Sequence, residues 1–117
     1  MRMSEVNYSG SLPVDGYGPG FFRVAGQVHH GAIVVLPGGV SGWGGYDDLA
    51  ALSAAAAEID LVLVGSGSEI APLPHAFSQA LEAAGLGAEV MATPAACRTY
   101  NVLLGEGRRV GLALLPV

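Results

Sequence analysis

Short apolar runs alternate with helical patterns along most of this chain, and that alternation limits the folds open to it. The runs read AIVVL, DLVLV, AEVMA and VGLALLPV, at residues 32–36, 60–64, 88–92 and 110–117. The first run has no polar alternation, which is typical of a strand covered on both faces. Between the runs, apolar residues recur at spacings of three and four, as in amphipathic helices. Strands that alternate with helices predict a single α/β domain.

Three helices are predicted from these spacings. Their apolar stripes are Leu49, Leu52, Ala56 and Ile59, then Phe77, Ala80, Leu81 and Ala84, and finally Ala96, Tyr100, Leu103 and Leu104. Asp47 or Asp48 can cap the first helix, and Gly85 stands where the second would end in a left-handed residue. For the third, Thr93 can cap with its hydroxyl and Pro94 suits the first helical position.

The N-terminal part of the chain has a different character. Residues 1–15 are rich in glycine, serine and proline, and we expect a flexible arm that joins a domain spanning residues 16–117 near Tyr17. The stretch FFRVAGQVHH predicts a hairpin that turns at Ala25 and Gly26, with an interruption at Gly31. The segment GGVSGWGGYDD, residues 38–48, reads as a loop.

Composition narrows the function classes. The chain has 117 residues, 51% of them hydrophobic and 13% charged, which is ample for a core. Five basic and ten acidic residues give a net charge of −5, so the field of the protein opposes binding to nucleic acid and to anionic membranes. One cysteine cannot form an internal disulfide, and the first twenty residues hold no apolar run typical of a signal sequence or membrane span. A cytoplasmic location is the expectation.

An ordered series of motifs resembles a known family. These motifs are GYGPGFFRVAG (residues 16–26), the run into Pro37, Trp43, DLVLVGSG (residues 60–67) and ACRTYNVLLGEGRRV (residues 96–110). Together they are similar to a small Mth-type domain family of unknown function, over residues 16–117. That family includes a mitochondrial assembly factor of respiratory complex I and an adipogenesis-associated vertebrate protein.

The resemblance implies a fold and little chemistry. It implies a three-layer α/β sandwich: a mixed, mostly parallel central sheet, helices on one side, and the N-terminal hairpin on the other. In the family, the run matching Arg98, Thr99, Tyr100 and Asn101 is a hallmark, whereas the position of Cys97 accepts other small residues. Most bacterial members have no established activity, so the resemblance alone assigns no reaction.

Two loops are candidates for a ligand site. GSGSE (residues 65–69) and ATPAACR (residues 92–98) both follow strands and precede helices, and ligands of open parallel sheets collect at the carboxyl ends of the strands. Side by side, the loops would offer a small anion or carboxylate backbone amides, a helix start and a guanidinium. The candidate residues are Gly65, Ser66, Gly67, Ser68, Thr93 and Arg98. The glycine spacing of a dinucleotide site and the lysine of a P-loop are both missing from the sequence, so no cofactor is expected.

The third helix carries a second set of candidates. Cys97, Arg98 and Asn101 can share one polar edge, because they are separated by three and four residues. Cys97 is a candidate for a reactive thiol, and the alternative is a small, semi-buried apolar residue. Arg98 and Asn101 either contact a ligand or partner, or hydrogen-bond loop carbonyls and fix the helix.

Histidine and tryptophan add little chemistry. His29 and His30 are adjacent on a predicted strand and point to opposite faces, and His75 stands near a helix start in solvent. The usual ligand spacings of a metal site are missing, and none is predicted. Trp43, in a glycine-rich loop, either packs into the fold or presents a binding anchor, and packing is the interpretation we favour.

Two functions are therefore predicted. The first is a noncatalytic binding or scaffold module, by resemblance an assembly or accessory factor, whose recognition surface is Arg98, Tyr100, Asn101 and the glycine loop. The second is a small-molecule or anion-binding protein, or an enzyme, that uses the cleft near residues 65–68 and 93–98 with Cys97 as its thiol. Partners can be another protein or a second copy of the chain, since a small apolar domain often leaves a sheet edge to cover.

Overall fold

A computed structural model of the protein describes residues 12–117, and this part of the chain forms eight strands and three helices. The strands are β1 (Val14–Gly18), β2 (Phe21–Val24), β3 (Gln27–His30), β4 (Ile33–Leu36), β5 (Gly39–Gly42), β6 (Leu61–Gly65), β7 (Gly87–Met91) and β8 (Val110–Leu114). The helices are α1 (Ala50–Ala54), α2 (His75–Ala83) and α3 (Thr93–Gly105). The predicted α/β class is thus confirmed.

The strands form two sheets. The first three make a small antiparallel sheet in the order β1-β2-β3, and the other five make a mixed sheet in the order β5-β4-β8-β6-β7. The prediction of a mostly parallel central sheet was wrong, because β4 is antiparallel to both of its neighbours and only β6 has two parallel partners. The strand responsible is β5, which lies within the segment predicted to be a loop. Its sequence, GVSG, holds one apolar residue and so carries no strand pattern.

Helices cover both faces of the five-stranded sheet, and the prediction of helices on one side was wrong. Helix α2 links β6 to β7, whereas α3 links β7 back across β6 to β8. Right-handed crossovers that run in opposite directions along a sheet place their helices on opposite faces. Helix α3 therefore shares its face with the small N-terminal sheet, and α1 and α2 lie on the other face.

Each face of the central sheet packs into its own core. On the α3 side, Tyr100 and Phe22 are completely buried against sheet residues such as Leu63. On the α1 and α2 side, Leu52 and Phe77 pack against alternate residues of the same strands, including Val62, Val64 and Ala113. The central strands are covered on both faces, as the unbroken apolar runs predicted.

Strand β1 includes residues of the predicted arm. Residues 1–11 of that predicted arm lie outside the described part of the chain. Strand β1 begins at Val14, three residues before the predicted junction at Tyr17. The Val14 side chain is buried, and it stands opposite Val24 of β2. A single apolar residue in a proline- and glycine-rich stretch gave no periodic signal, so its burial could not be read locally.

Turn and helix ends follow local signals in part. The hairpin turn at Ala25 and Gly26 is confirmed, with both residues at positive φ (50° and 78°). Helix α2 ends as predicted, with Gly85 at φ 83° and the Leu86 amide donating to the Leu81 carbonyl at 2.9 Å.

The predicted acidic cap of the first helix was wrong. Leu49 is the N-cap residue of α1, and the Asp48 carboxylate accepts instead from the Gly44 amide at 2.9 Å. The loop before α1 is closed by this bond, which competes with capping for the same oxygen.

Candidate functional site

The loops that follow β6 and β7 lie side by side, as predicted from the sequence. Gly65 and Met91 are paired at the ends of these parallel strands. Beyond them, the Ser66 amide donates to the Met91 carbonyl at 2.9 Å, and the Thr93 amide donates to the Gly67 carbonyl at 2.7 Å. The loops are thus joined directly by backbone hydrogen bonds.

Thr93 closes the space between the loops. Its side chain is completely buried, and its hydroxyl accepts from the Gly67 amide at 2.9 Å and donates to the Leu115 carbonyl at 2.7 Å. A methyl group built on Gly65 would lie 2.6 Å from Thr93 Oγ1, so side-chain and backbone atoms already fill this position. The predicted capping role of Thr93 was wrong, because Ala92 is the N-cap residue and the hydroxyl ties three segments together.

Ser66 holds the glycine loop in one conformation. Its hydroxyl donates to the Glu69 carbonyl at 2.8 Å and accepts from the Ala71 amide at 3.0 Å. Gly67 adopts φ 107°, a conformation that favours glycine. Ser68 is exposed beside them. Of the two serines proposed as ligand contacts, Ser66 therefore has an internal role and Ser68 is free to meet solvent.

The start of α3 retains few donors for an anion. Pro94 has no amide hydrogen, the Thr93 amide is bonded to Gly67, and the Ala96 amide donates to the Ala92 carbonyl at 3.0 Å. An anion would compete with these internal acceptors for the same donors. The anion or carboxylate pocket stays a prediction, with Arg98 as its exposed charged group.

Cys97 lies in the core on the α3 side. Its side chain is 4% exposed, and burial raises the pKa of the thiol to about 11, against the opposing influence of the neighbouring Arg98 guanidinium. A thiol with a raised pKa is protonated at neutral pH and is a poor nucleophile. The interpretation of Cys97 as a small buried residue agrees with this environment, and the reactive-thiol alternative does not.

Asn101 and Tyr100 hold the N-terminal strand against α3. Asn101 Oδ1 accepts the Val14 amide at 2.9 Å, and its Nδ2 donates to the Val14 carbonyl at 2.8 Å. The Tyr100 hydroxyl donates to the Leu12 carbonyl at 3.2 Å, and burial raises the pKa of this phenol. Tyr100 is completely buried, so it cannot belong to an exposed recognition surface. The predicted alternative was that Asn101 hydrogen-bonds loop carbonyls and fixes the helix. Asn101 does form backbone hydrogen bonds, but its partner is Val14 of strand β1.

The predicted polar edge of α3 is therefore divided. Asn101 points to β1 and Cys97 into the core, while Arg98 is exposed. Of the predicted site residues, Arg98 and Ser68 are exposed to solvent.

Histidines and the tryptophan occupy separate places. His29 and His30 are adjacent on β3 and His75 begins α2, and residues 12–117 hold no group of three or more side chains that could bind a metal ion. Trp43 is 6% exposed and its Nε1 donates to the Asp48 carbonyl at 3.0 Å. Its ring meets Tyr46 edge-on at 5.5 Å and Phe77 at 6.0 Å, which confirms packing.

Two clefts among the described residues lie away from these loops, one on each side of β5. The sequence does not predict them, because GVSG carries no strand pattern.

None of the helices in residues 12–117 combines the length and the apolar character needed to cross a membrane.

The two sheets, their crossovers and the internal ties define a small α/β domain with the Mth938-like fold. The solved structure of a Mth938-like domain from Bordetella pertussis is similar to this chain, with a TM-score of 0.77 and 29% sequence identity. The match covers 99% of this chain and 91% of the Bordetella chain. The chain belongs to the family described as protein of unknown function (DUF498/DUF598), whose model matches residues 14–115. The resemblance inferred from the motifs is confirmed.

Two curated relatives place the family in context. An uncharacterised protein of Rhodobacter capsulatus is 54% identical over 117 residues, which cover all of this chain and 94% of the relative. NADH dehydrogenase [ubiquinone] 1 alpha subcomplex assembly factor 3 of the mouse is 34% identical over 123 residues. That match covers 99% of this chain and 66% of the mouse protein, so the chain spans just under two thirds of this relative's length.

Proposed function

We propose that this protein is a noncatalytic binding module that acts as an accessory factor in the assembly of a respiratory NADH dehydrogenase. The relationship to the mouse assembly factor supports the assembly role, because almost the whole chain takes part in the match. The single observation that carries the noncatalytic part is the burial of Cys97, whose thiol is protonated at neutral pH.

The use of the other polar candidates supports the same proposal. Three of these polar side chains form hydrogen bonds with backbone groups of the fold: Thr93, Ser66 and Asn101. Groups committed to the fold in this way are poorly suited to acid–base or nucleophilic work, which needs a group free to exchange protons with a substrate. Binding to a protein partner requires only an accessible surface.

Arg98 is the candidate contact within the family motif. It is exposed on α3, directly after the buried Cys97. Arginine is among the residues enriched at interface hot spots, since its guanidinium can form several hydrogen bonds at once. In this proposal Tyr100 and Asn101 shape the surface indirectly, by holding β1 in place.

A deletion strain tests the proposed function. The gene is removed from the organism that encodes the chain, and assembled NADH dehydrogenase is measured in its membranes by native gel electrophoresis and by NADH oxidation. We expect loss of the assembled enzyme, with recovery when the wild-type chain or Cys97→Ala is supplied. Unchanged assembly in the deletion strain would contradict the assembly role.

Variants of α3 separate a catalytic from a binding role. Arg98→Ala should restore less assembled enzyme than the matched control Val102→Ala, since both positions are exposed on the same helix. Melting temperatures of the two purified variants should agree with each other. A folded Cys97→Ala protein that fails to restore assembly would refute the noncatalytic interpretation.

A further inference from the structure

Among residues 12–117, strand β5 forms one edge of the central sheet. In this part of the chain it pairs with β4 alone, and the Leu36–Gly39 pair closes their hairpin. Because hydrogen-bonded and non-bonded pairs alternate in an antiparallel ladder, the amides and carbonyls of Val40 and Gly42 point away from β4. Within residues 12–117, neither residue directs a backbone hydrogen bond outward. These groups form a short template on which an extended chain can pair.

Strand β5 itself carries none of the usual protection of a sheet edge. Sheet edges are commonly guarded by charged side chains, proline or bulges, and GVSG contains neither charge nor proline. Its register with β4 is regular along all four residues. At the opposite edge of the sheet, β7 carries the exposed carboxylate of Glu89. The β5 edge is therefore the more accessible of the two for pairing.

A cleft flanks the open edge on each face of the sheet. On the α1 side, a space of about 280 Å³ lies between the β4–β5 hairpin and the helix, bordered by Ser41, Ala54 and Glu58. On the other side, a space of about 300 Å³ lies under the small sheet, bordered by Val24 and His29. Val40 borders both clefts. Since successive side chains of a strand point to opposite faces, an added strand would place neighbouring residues in the two clefts.

The acidic residues near β5 indicate what kind of chain segment would bind at this edge. Residues 24–97 contain seven acidic residues and neither lysine nor arginine. Glu58 borders the first cleft, and Asp47 and Asp48 follow β5 closely in sequence. Asp15 lies near the second cleft, where its carboxylate accepts from the Gly26 amide at 2.7 Å.

Some positive groups of the described residues lie among these acids. Arg109 donates to the Ala57 carbonyl at 2.9 Å, next to Glu58, and its Nε lies 3.4 Å from the Asp60 carboxylate. Arg23 of the small sheet stands in register with Val28, on the face opposite to the buried Val24. His29 borders the second cleft. A field of this sign attracts cationic segments and opposes acidic ones.

We propose that the β5 edge binds an extended, cationic segment of a partner protein by strand addition, with two adjacent apolar side chains entering the two clefts and flanking arginine or lysine residues meeting the acidic rim. The proposal rests on the proposed function, since it names the surface and the chemistry by which the module would hold its partner. Backbone hydrogen bonds to Val40 and Gly42 supply affinity in this mode, and the clefts and charges supply selectivity.

Synthetic peptides provide the probe. A fluorescein-labelled peptide of sequence RTRVIRTR is titrated with the full chain, and binding is followed by fluorescence anisotropy at low ionic strength. Its controls are ETEVIETE, which reverses the charge, and RTRSSRTR, which removes the apolar pair. We expect each control to bind at least tenfold more weakly, and binding of RTRVIRTR to weaken as salt is added.

Two variants of the protein locate the binding. Ser41→Arg places a cation beside the first cleft and should weaken binding of RTRVIRTR at least tenfold relative to Ser53→Arg, which makes the same charge change at an exposed position of α1 outside the cleft lining. Val40→Pro removes one outward amide, a change that edge strands tolerate, and should also weaken binding. If circular dichroism shows that Val40→Pro does not fold, the Ser41→Arg and Ser53→Arg pair decides.

Three results would overturn the proposal. The first is equal affinity of the Ser41→Arg and Ser53→Arg proteins for RTRVIRTR. The second is binding of ETEVIETE as tight as that of RTRVIRTR. The third is a dimer in light scattering that Ser41→Arg dissociates, because a second copy of the chain would then cover the edge. The outcome is separable from that of the deletion strain. If RTRVIRTR fails to bind while Ser41→Arg still restores NADH dehydrogenase assembly, the module binds its partner elsewhere and the assembly role stands.

Discussion

Asn101 pairs with both backbone groups of Val14, which lies 87 residues earlier in the chain. The two bonds, of 2.9 and 2.8 Å, reproduce with a side-chain amide what a neighbouring strand would offer to β1. The hydroxyl of Tyr100 adds a third contact at the Leu12 carbonyl. Two of the four residues of the run from Arg98 to Asn101 therefore hold the first strand to the last helix.

Replacing Asn101 should loosen this attachment. Asn101→Ala leaves the half-buried amide and carbonyl of Val14 without their partner, which costs on the order of 1–3 kcal/mol in the free energy of unfolding. Urea denaturation measures the loss. The matched control is Val102→Ala, at an exposed position of the same helix, which should change stability by less than about 0.5 kcal/mol. Equal stability of the two variants would show that the Val14 contacts contribute nothing.

The buried hydroxyl of Thr93 should contribute to the stability of the fold through its two hydrogen bonds. Thr93→Val keeps the shape of the side chain but removes an acceptor for the Gly67 amide and a donor for the Leu115 carbonyl. We expect a loss of about 1–3 kcal/mol, measured by urea denaturation, because two partners are left unsatisfied. Thr99→Val, the same change at a half-buried position of α3, is the control and should be much milder. A Thr93→Val protein as stable as Thr99→Val would refute the tie between the loops.

Gly65 should not tolerate a side chain. A methyl group there would lie 2.6 Å from Thr93 Oγ1 and 2.7 Å from Leu114 Cδ2, so Gly65→Ala requires the loop and helix α3 to shift. We expect destabilisation of about 1–3 kcal/mol or more by thermal melting. At Gly87, on the neighbouring parallel strand, the same methyl group would meet Leu61 Cδ1 at an ordinary 3.5 Å. Gly87→Ala should therefore melt near the wild type, and equal melting of both variants would contradict the crowding at Gly65.

Local signals predicted the elements whose determinants are close in sequence. The turn at Ala25 and Gly26, the strand that became β6, the glycine end of α2 and the extent of α3 each depend on residues within a few positions of one another. The neighbouring placement of the loops after β6 and β7 was also predictable, because parallel strands joined by a helix end at the same edge of a sheet.

Features that depend on distant partners were not predictable. Asn101 and Val14 are 87 residues apart, and Thr93 and Leu115 are 22 apart, so neither sequence neighbourhood shows why the polar groups are there. Strand β5 is a strand only because β4 supplies its ladder. The placement of α3 opposite α2 follows from the order of strands in the sheet, which periodicity does not contain.

The pKa of Cys97 provides a test in alkaline solution. Burial raises this pKa from 9.0 to about 11, so the native thiol stays protonated at pH 8 and should react with iodoacetamide on the order of a hundredfold more slowly than in urea. Cys97 is the only cysteine in the sequence, so the modified protein reports on this site alone. Labelling of the native protein at pH 8 as fast as in urea would show that the thiol is accessible and ionised.

The same shift makes stability depend on pH. Between pH 9 and 11 the unfolded chain releases the thiol proton while the native protein retains it, so the free energy of unfolding falls as the pH rises, by at most about 1.4 kcal/mol per pH unit from this group. Below pH 9 both states hold the proton and the contribution is constant. Cys97→Ala should flatten the decline measured by urea denaturation at pH 8.5, 9.5 and 10.5. The raised pKa of Tyr100 lowers the free energy of unfolding in the same direction at higher pH, and this part of the decline should remain in Cys97→Ala. An identical decline in wild type and Cys97→Ala between pH 8.5 and 9.5 would show that the thiol is not its source.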